Sequence, residues 1–255
     1  MTNRSLARMS VNRTAAEGFG RAAAAYERGR PGYPQAAIDW MVDQLGITPV
    51  STVVDLGAGT GKFSRMMRST GARVIAIEPV AAMRVELTRA APDVEVLDGT
   101  AEAISCTDAS VDVVTAAQAF HWFAGPVALN EIHRVLRPAG GLGLIWNRRD
   151  KRDPLQAAID AIIRPYRREA PTHERDQWRE PMMASALFHP AGERQLSHEQ
   201  KVDVERLVDR VLSISFIATL PEDERATVGD QVRALVDQTP ITLPYLTDVF
   251  LFRRR

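Results

Sequence analysis

Short apolar runs alternate with longer amphipathic stretches through the first 146 residues of the chain. The runs at Thr52 to Leu56, Arg73 to Glu78, Val94 to Asp98, Val111 to Ala116 and Gly141 to Trp146 have the length and β-branched content of buried strands. Between the last two, Val127, Ala128, Leu129, Ile132, Val135 and Leu136 form an apolar stripe, and Asn130, Glu131 and Arg134 are left for solvent. That spacing predicts a helix over Gly125 to Leu136, stopped by the "RPAGG" that follows. Strand and helix alternating in this way predict a doubly wound α/β domain whose mostly parallel sheet is covered on both faces.

The pattern changes after Trp146. "NRRDKRDP" places six consecutive charges before Pro154 and reads as a solvated joint, with a helix restarting at Pro154 or Leu155. Val204, Leu207, Val208, Val211 and Leu212 follow helical spacing, and so do Val228, Val232, Leu235 and Val236, with "LPEDE" as a start signal between them. These two helices form a small helical insertion before the last strand, which is read from the alternating, β-rich "YLTDVFLFRRR".

Composition narrows the function. In 255 residues, 32 basic side chains balance 32 acidic ones, so no net field steers the protein onto nucleic acid or an anionic membrane, and a small-molecule partner is expected. The oligomeric state is left open between monomer and homodimer. The single cysteine, Cys106, excludes an intrachain disulfide and a cysteine zinc cage, and fits a reducing, cytoplasmic setting. No apolar run approaches the roughly 18 residues of a membrane span. Residues 1–18 carry arginine and serine with no acid before Glu17 and no apolar period, and read as a mobile N-terminal tail. No metal site is expected: His133 reads as structural, and His173 and His189 lack ligand spacing.

The chemistry concentrates in "VVDLGAGTGKFS", residues 53 to 64. Gly57, Gly59 and Gly61 fall in the first strand-to-helix turn, the usual place for a ligand in an open α/β sheet. A phosphate loop requires Ser or Thr after its lysine, whereas Phe63 follows Lys62. A dinucleotide fingerprint requires its third glycine one residue later than Gly61. A tight turn alone accounts for one or two glycines, not three.

An acid ending the first strand (Asp55), G-x-G-x-G, and a second acid ending the next strand (Glu78) resemble the first two motifs of class I S-adenosylmethionine-dependent methyltransferases. "YERGRPGYP", "GTAEAIS", "SVDVVTAAQAFHWF" and "EIHRVLRPAGGLGLIWNRRD" extend the resemblance to the methyltransferase type 11 branch, among small-molecule enzymes of the trans-aconitate type. The resemblance covers most of residues 19–255. It implies a seven-stranded Rossmann-like sheet, N-terminal cap helices over 19–50 and a variable, acceptor-side region over about 151–240. It also implies S-adenosyl-L-methionine as cofactor, with S-adenosyl-L-homocysteine as product.

By the same resemblance Asp55, Gly57, Ala58, Gly59, Thr60 and Gly61 cradle the aminoacyl arm, and Glu78, with Pro79 beside it, takes the ribose hydroxyls. Glu78 also reads as an N-terminal helix charge. Asp98 matches the adenine-amine acceptor, with Thr100 and Ala101 after it, and Met83 reads equally as an adenine contact or as core. Gln118 and Ala119 lie near the cofactor, while Tyr26 and Arg30 close over it; Arg30 pairs with its carboxylate or is simply solvated. His121 is the candidate catalytic base for a hydroxyl acceptor, with an orienting role as the alternative. Phe120, Trp122, Trp146 and Asn147 are expected to face the acceptor. O-methylation is favoured, with N- or C-methylation open. The competing functions are a non-catalytic S-adenosylmethionine-binding or scaffold protein and a nucleic-acid methyltransferase. "AQAF" stands where base-flipping amino methylases carry an N-P-P-Y or D-P-P-Y tetrad.

Overall fold

The computed structural model describes residues 25–167, 173 and 177–255; the expected N-terminal tail, residues 1–18, lies outside them. Seven strands form one sheet: β1 (Thr52–Leu56), β2 (Arg73–Ile77), β3 (Glu95–Leu97), β4 (Val111–Ala117), β5 (Leu136–Arg149), β6 (Phe188–Val202) and β7 (Ile241–Arg254). Their spatial order is β3-β2-β1-β4-β5-β7-β6. The first five are parallel, and β7 enters antiparallel between β5 and β6. The chain order therefore reverses between β1 and β4, which opens a crevice beyond the carboxyl ends of those strands.

Two-residue alternation on each strand feeds two cores. Val53, Val74, Val113 and Ile145 face α1 (Gln35–Leu45), α2 (Lys62–Arg68) and α3 (Ala81–Ala90), where Ile38, Met41, Phe63, Met67 and Leu87 pack on them. Val54, Ile75, Val114 and Leu144 point the other way, onto Leu129 and Ile132 of α4 (Pro126–Val135) and onto Trp146 and Trp178. This two-sided burial explains why β1 to β5 read as apolar runs.

A third core belongs to the late helices. Ile159 and Ile163 of α5 (Pro154–Ile163) meet Leu207, Val208 and Val211 of α7 (Val204–Leu212) and Val228 and Val232 of α9 (Glu222–Arg233). The short α6 (Arg179–Ala184) precedes β6, and α8 (Ser215–Ala218) follows α7. Asp153 caps α5 by accepting from the Gln156 N–H at 2.9 Å, so the helix starts at Pro154. The insertion is thus α7 to α9, between β6 and β7.

Two expectations change. "NRRDKRDP" is no solvated joint at its start: β5 continues to Arg149, pairing Arg148 with Leu246 and Arg149 with Tyr245 of β7. The β7 partner extends the strand past the point where its apolar run ends. The strand β6 was not read from sequence, because most of its residues between Phe188 and Val202 are exposed and polar.

Candidate active site

The turn after β1 sits at the crevice. Gly57, Gly59 and Gly61 have φ of 66°, 58° and 80°, in the left-handed region that favours glycine. A Cβ at Gly57 would lie 2.7 Å from the Ala119 Cβ, and one at Gly61 would lie 2.7 Å from Leu87 Cγ. Gly57 lets the tip of β4 approach the turn, whereas Gly61 lets α3 pack beneath it. Above Gly59 the space is open, its nearest neighbour being the Tyr26 ring at 4.0 Å.

Glu78, at the end of β2, ties this turn down. Its Oε2 accepts from the Gly59 N–H at 2.9 Å and its Oε1 from the Val80 N–H at 2.8 Å. Burial raises the carboxyl above its ordinary range, against the lowering effect of those two bonds. Each oxygen keeps a further lone pair toward the crevice. Asp55 lies deeper: its carboxylate is fully buried and accepts from the Ser64 hydroxyl at 2.6 Å and the Thr115 hydroxyl at 3.4 Å. Burial pushes it up to about 7.

A cleft opens here, bounded by the turn at Gly57 and Gly59, by Ile77, Glu78, Pro79, Val80 and Met83, by Gly99 to Glu102, and by Ala117 to Ala119 at the tip of β4. Tyr26, Trp122 and Phe123 close its outer side. Of the residues expected at the cofactor, Tyr26, Gly57, Gly59, Glu78, Pro79, Met83, Thr100, Ala101, Gln118 and Ala119 line this cleft. Ala58, Thr60 and Arg30 line a smaller recess behind the turn.

Three further expected residues, Asp55, Gly61 and Asp98, line neither the cleft nor the recess. Asp55 supports the turn from below, and Gly61 serves helix packing. Asp98 turns away to the Arg84 guanidinium at 2.9 Å, which also donates to the Glu78 carbonyl, so the β3 side of the cleft is made by Gly99 and Thr100 instead. Sequence reasoning missed Ile77, Val80, Gly99, Glu102, Ala117 and Phe123.

A second chamber adjoins the first. Tyr26, Gln118 and Trp122 belong to both walls. Gln118 has a φ of 59°, unusual for a residue with a side chain, and its Nε2 donates to the Asn147 carbonyl at 2.9 Å. Asn147 lines the second chamber as expected; its Oδ1 accepts from Thr247 at 2.6 Å and its Nδ2 donates to the Gly32 carbonyl at 2.7 Å. The N-terminal segment is thereby docked on the site. Gly29 strengthens the docking, since a Cβ there would lie 2.4 Å from the Arg210 backbone nitrogen of α7.

Phe120 and Trp146 were expected to face the acceptor, but both are buried pillars of the core. Trp146 stacks on His173 at 4.3 Å and donates from Nε1 to His121 Nδ1 at 3.1 Å. This bond corrects the reading of His121 as a base. An indole nitrogen is only a donor, so His121 Nδ1 must hold a lone pair and the neutral ring carries its proton on Nε2. Burial, followed by the nearby charges of His173 and Arg30, lowers the imidazole to about 3. His121 is therefore a neutral donor lining the chamber.

The remaining lining of the second chamber was invisible to sequence reasoning. Arg148 and Arg149 come from the end of β5, Arg167 from beyond α5, Arg210 from α7, and Ile214, Ser215 and Phe216 from α8 and its approach. Only the arginine-rich "NRRDKR" signalled any of this, and it read as solvated surface. Among the described residues no three His, Cys, Asp or Glu side chains form a metal-ligating group, and no helix is long and apolar enough to cross a membrane.

Comparison with known proteins agrees with this geometry. A methyltransferase domain model matches residues 54–144, from β1 into β5. An uncharacterised methyltransferase of Mycobacterium bovis is 39% identical over 236 residues, covering 90% of this chain and 92% of its own. A malonyl-[acyl-carrier protein] O-methyltransferase of Pectobacterium atrosepticum is 30% identical over 174 residues, 60% of this chain and 67% of its own. Among solved structures, one described as a type II methyltransferase of Anaeromyxobacter dehalogenans superposes with a TM-score of 0.65 at 24% identity, covering 89% of this chain and 97% of its own, and so shares the fold. The glycine turn, the acid at the tip of β2 and these relatives together place the chain in the type 11 branch of the class I S-adenosylmethionine-dependent methyltransferases.

Proposed function

We propose that the protein transfers a methyl group from S-adenosyl-L-methionine to an oxygen of a small-molecule acceptor. The observation that carries this reading is the pair of chambers sharing Tyr26, Gln118 and Trp122 as a common wall: one has the features of a donor site, and the other is a separate space for an acceptor.

The residues of the first cleft fit the donor. The Glu78 oxygens have lone pairs to spare for two ribose hydroxyls, and Ile77, Val80, Met83 and Phe123 offer apolar faces to a purine. Thr60 Oγ1, buried behind the turn without a hydrogen-bond partner, is an orphan that the polar aminoacyl end would satisfy. When bound, the cofactor supplies a sulfonium-activated methyl group. The chain's own contribution is alignment and exclusion of water: Gln118 is fixed by its bond to the Asn147 carbonyl, and Tyr26 and Trp122 wall the junction. His121, neutral and bearing its proton on Nε2, orients an acceptor oxygen by donation and removes no proton from it. A relative that bears the name of an O-methyltransferase supports oxygen as the receiving atom.

Incubation with tritiated S-adenosylmethionine and a fractionated cell extract tests the reading. Label in the low-molecular-weight fraction, labile to mild alkali if the product is an ester, is expected. Label confined to nucleic acid or protein would replace the small-molecule acceptor. Binding of the cofactor with no transfer to any fraction would favour the non-catalytic alternative.

A further inference from the structure

A row of polar side chains crosses the sheet from the chamber junction to the edge strand. β4 ends at Ala117, opposite Ile145, so the Asn147 carbonyl of β5 lies beyond the last strand pair and takes the Gln118 amide in place of a strand partner. On its other side Asn147 is opposite Thr247 of β7, which is in turn opposite Leu196 of β6. Residues two apart on a strand share a face, so His198 reaches Thr247 across the diagonal. Thr247 Oγ1 lies 2.6 Å from Asn147 Oδ1 and 3.1 Å from His198 Nδ1. Asn147 Nδ2 then leaves the sheet for the Gly32 carbonyl, at 2.7 Å. Thr247 is fully buried and His198 half-buried.

The row has one allowed direction. A carbonyl oxygen only accepts, so Gly32 requires the NH₂ end of the Asn147 amide. Oδ1 is thereby turned to Thr247, whose hydroxyl must donate to it. Having given its single proton, that hydroxyl can only accept from His198, which therefore carries a proton on Nδ1. Burial lowers the imidazole below its ordinary range, so the ring is neutral at pH 7. The tautomer of a ring on the edge strand thus follows, over three hydrogen bonds, from a carbonyl of the N-terminal segment. The same ring stacks on Tyr245 at 5.5 Å, and Tyr245 donates to Gln200, which donates to the Gly29 carbonyl at 3.1 Å.

We infer that His198 and Thr247 are positioning residues for methyl transfer, holding Asn147 in the one orientation that keeps Gly32 and Gln118 in register at the wall shared by the two chambers. The inference rests on the two-chamber reading above. Neither residue lines the donor cleft or the second chamber, so each acts through Asn147, which does line the second chamber. Gln118 needs the support. Its backbone is left-handed, a conformation that persists only where the surroundings over-determine it. Its constraints are the N–H bond to the Ile145 carbonyl at 2.8 Å and the side-chain bond to the Asn147 carbonyl. Packing alone does not require this arrangement: valine has the shape of Thr247, and leucine fills most of the space of an imidazole. What an apolar pair lacks is the donor and acceptor sense of each bond, and without it the Asn147 amide is held by Gly32 alone.

The test compares Thr247→Val with Thr247→Ser and His198→Leu with His198→Asn; the second of each pair keeps the hydroxyl or the donor, and the first keeps only bulk. Nitrogen NMR of the histidine-labelled wild type, loaded with S-adenosylhomocysteine, should show His198 protonated on Nδ1, and the opposite tautomer would overturn the direction of the row. Initial rates of methyl transfer from tritiated S-adenosylmethionine are read over a dilution series of the low-molecular-weight fraction of a cell extract. They should fall at least about tenfold in Thr247→Val and His198→Leu and stay within about threefold of wild type in Thr247→Ser and His198→Asn. S-adenosylhomocysteine affinity should stay within about threefold in all four. Amide exchange over residues 29–33 of the loaded proteins should quicken in Thr247→Val and His198→Leu only, and equal exchange in all four would show that Gly32 is held without the row. Rates that follow Tm, with Thr247→Ser no better than Thr247→Val, would assign the row to fold stability and reject the inference. Undiminished transfer in Thr247→Val and His198→Leu would remove the positioning role alone. No transfer by a wild type that binds S-adenosylhomocysteine would remove the methyltransferase reading and the positioning role together.

Discussion

Replacing His121 by asparagine separates its charge from its hydrogen bond. The asparagine Oδ1 can occupy the place of Nδ1 and accept from Trp146, while the titrating ring is gone. The imidazole is lowered from 6.5 to about 3 in the folded chain, so between those values the unfolded state binds the proton and the native state does not. Stability due to the neutral ring is therefore fully present above pH 6.5 and is lost as the pH falls toward 3. At 1.36 kcal/mol per pH unit, the loss from pH 7.5 to pH 5 is about 2 kcal/mol; water reaching the ring edge from the chamber reduces the expectation to about 1–2 kcal/mol. Urea unfolding of both proteins at the two pH values measures it. The wild type should lose that much more than His121→Asn, and equal losses would show that the ring is not held neutral by its surroundings. In the same two proteins the rate of methyl transfer should show no histidine limb between pH 5.5 and 8.

Further expectations concern the donor cleft. Glu78→Gln should be no better tolerated than Glu78→Ala, because the amide sets its NH₂ against the N–H of Gly59 or Val80; each should weaken S-adenosylhomocysteine binding by about 1.5–3 kcal/mol by calorimetry. A dideoxyribose analogue that loses as much affinity in the variants as in the wild type would remove Glu78 from ribose recognition. Asp55, raised to about 7, binds its proton more tightly folded than unfolded, so it lowers stability progressively as the pH rises from 3.8 to 7. Asp55→Asn should then be relatively more stable at pH 8 than at pH 5, by an amount on the order of 2–4 kcal/mol in denaturant titrations, and a pH-independent difference would contradict the assignment. Gly61→Ala should cost about 1–2 kcal/mol for its left-handed backbone plus the displacement of Leu87, lowering Tm with little direct effect on the cleft. An unchanged Tm would mean that α3 can move aside freely.

What could be read from sequence is what lies close together along it. The glycine turn, Glu78 and the Gln118–Trp122 stretch are contiguous motifs at strand ends, and the crevice at the β1–β4 reversal brings them together. Asp98 shares that local logic but has a competitor on the surface of α3, Arg84, which no strand pattern announces. Phe120 and Trp146 show the limit of composition: aromatics near a strand tip fit a ligand wall and a core pillar equally well until Trp178 and His173 are seen stacked against them. The arginines were the least legible. They converge from residues 30, 148, 149, 167 and 210 through pairing of β5 with β7 and docking of Gly29 on α7, and nothing in the local spacing of any one of them records the others.

The sheet order also divides the molecule by inheritance. Everything that faces the donor hangs on β1 to β4, within or beside the span matched by the family model, apart from Tyr26. The second chamber hangs partly on the β5 end and partly on α7 and α8, and these two helices lie in a segment spliced between two antiparallel strands of 15 and 14 residues. A long hairpin is a tolerant graft site, because its backbone ladder holds whatever helices join its two arms. On the two-chamber reading, rewriting residues 203–240 with Gly29 and Arg210 kept changes the acceptor wall and spares the turn at the donor cleft, and a laboratory chimaera made across β6 and β7 should inherit its acceptor preference from the parent of that segment.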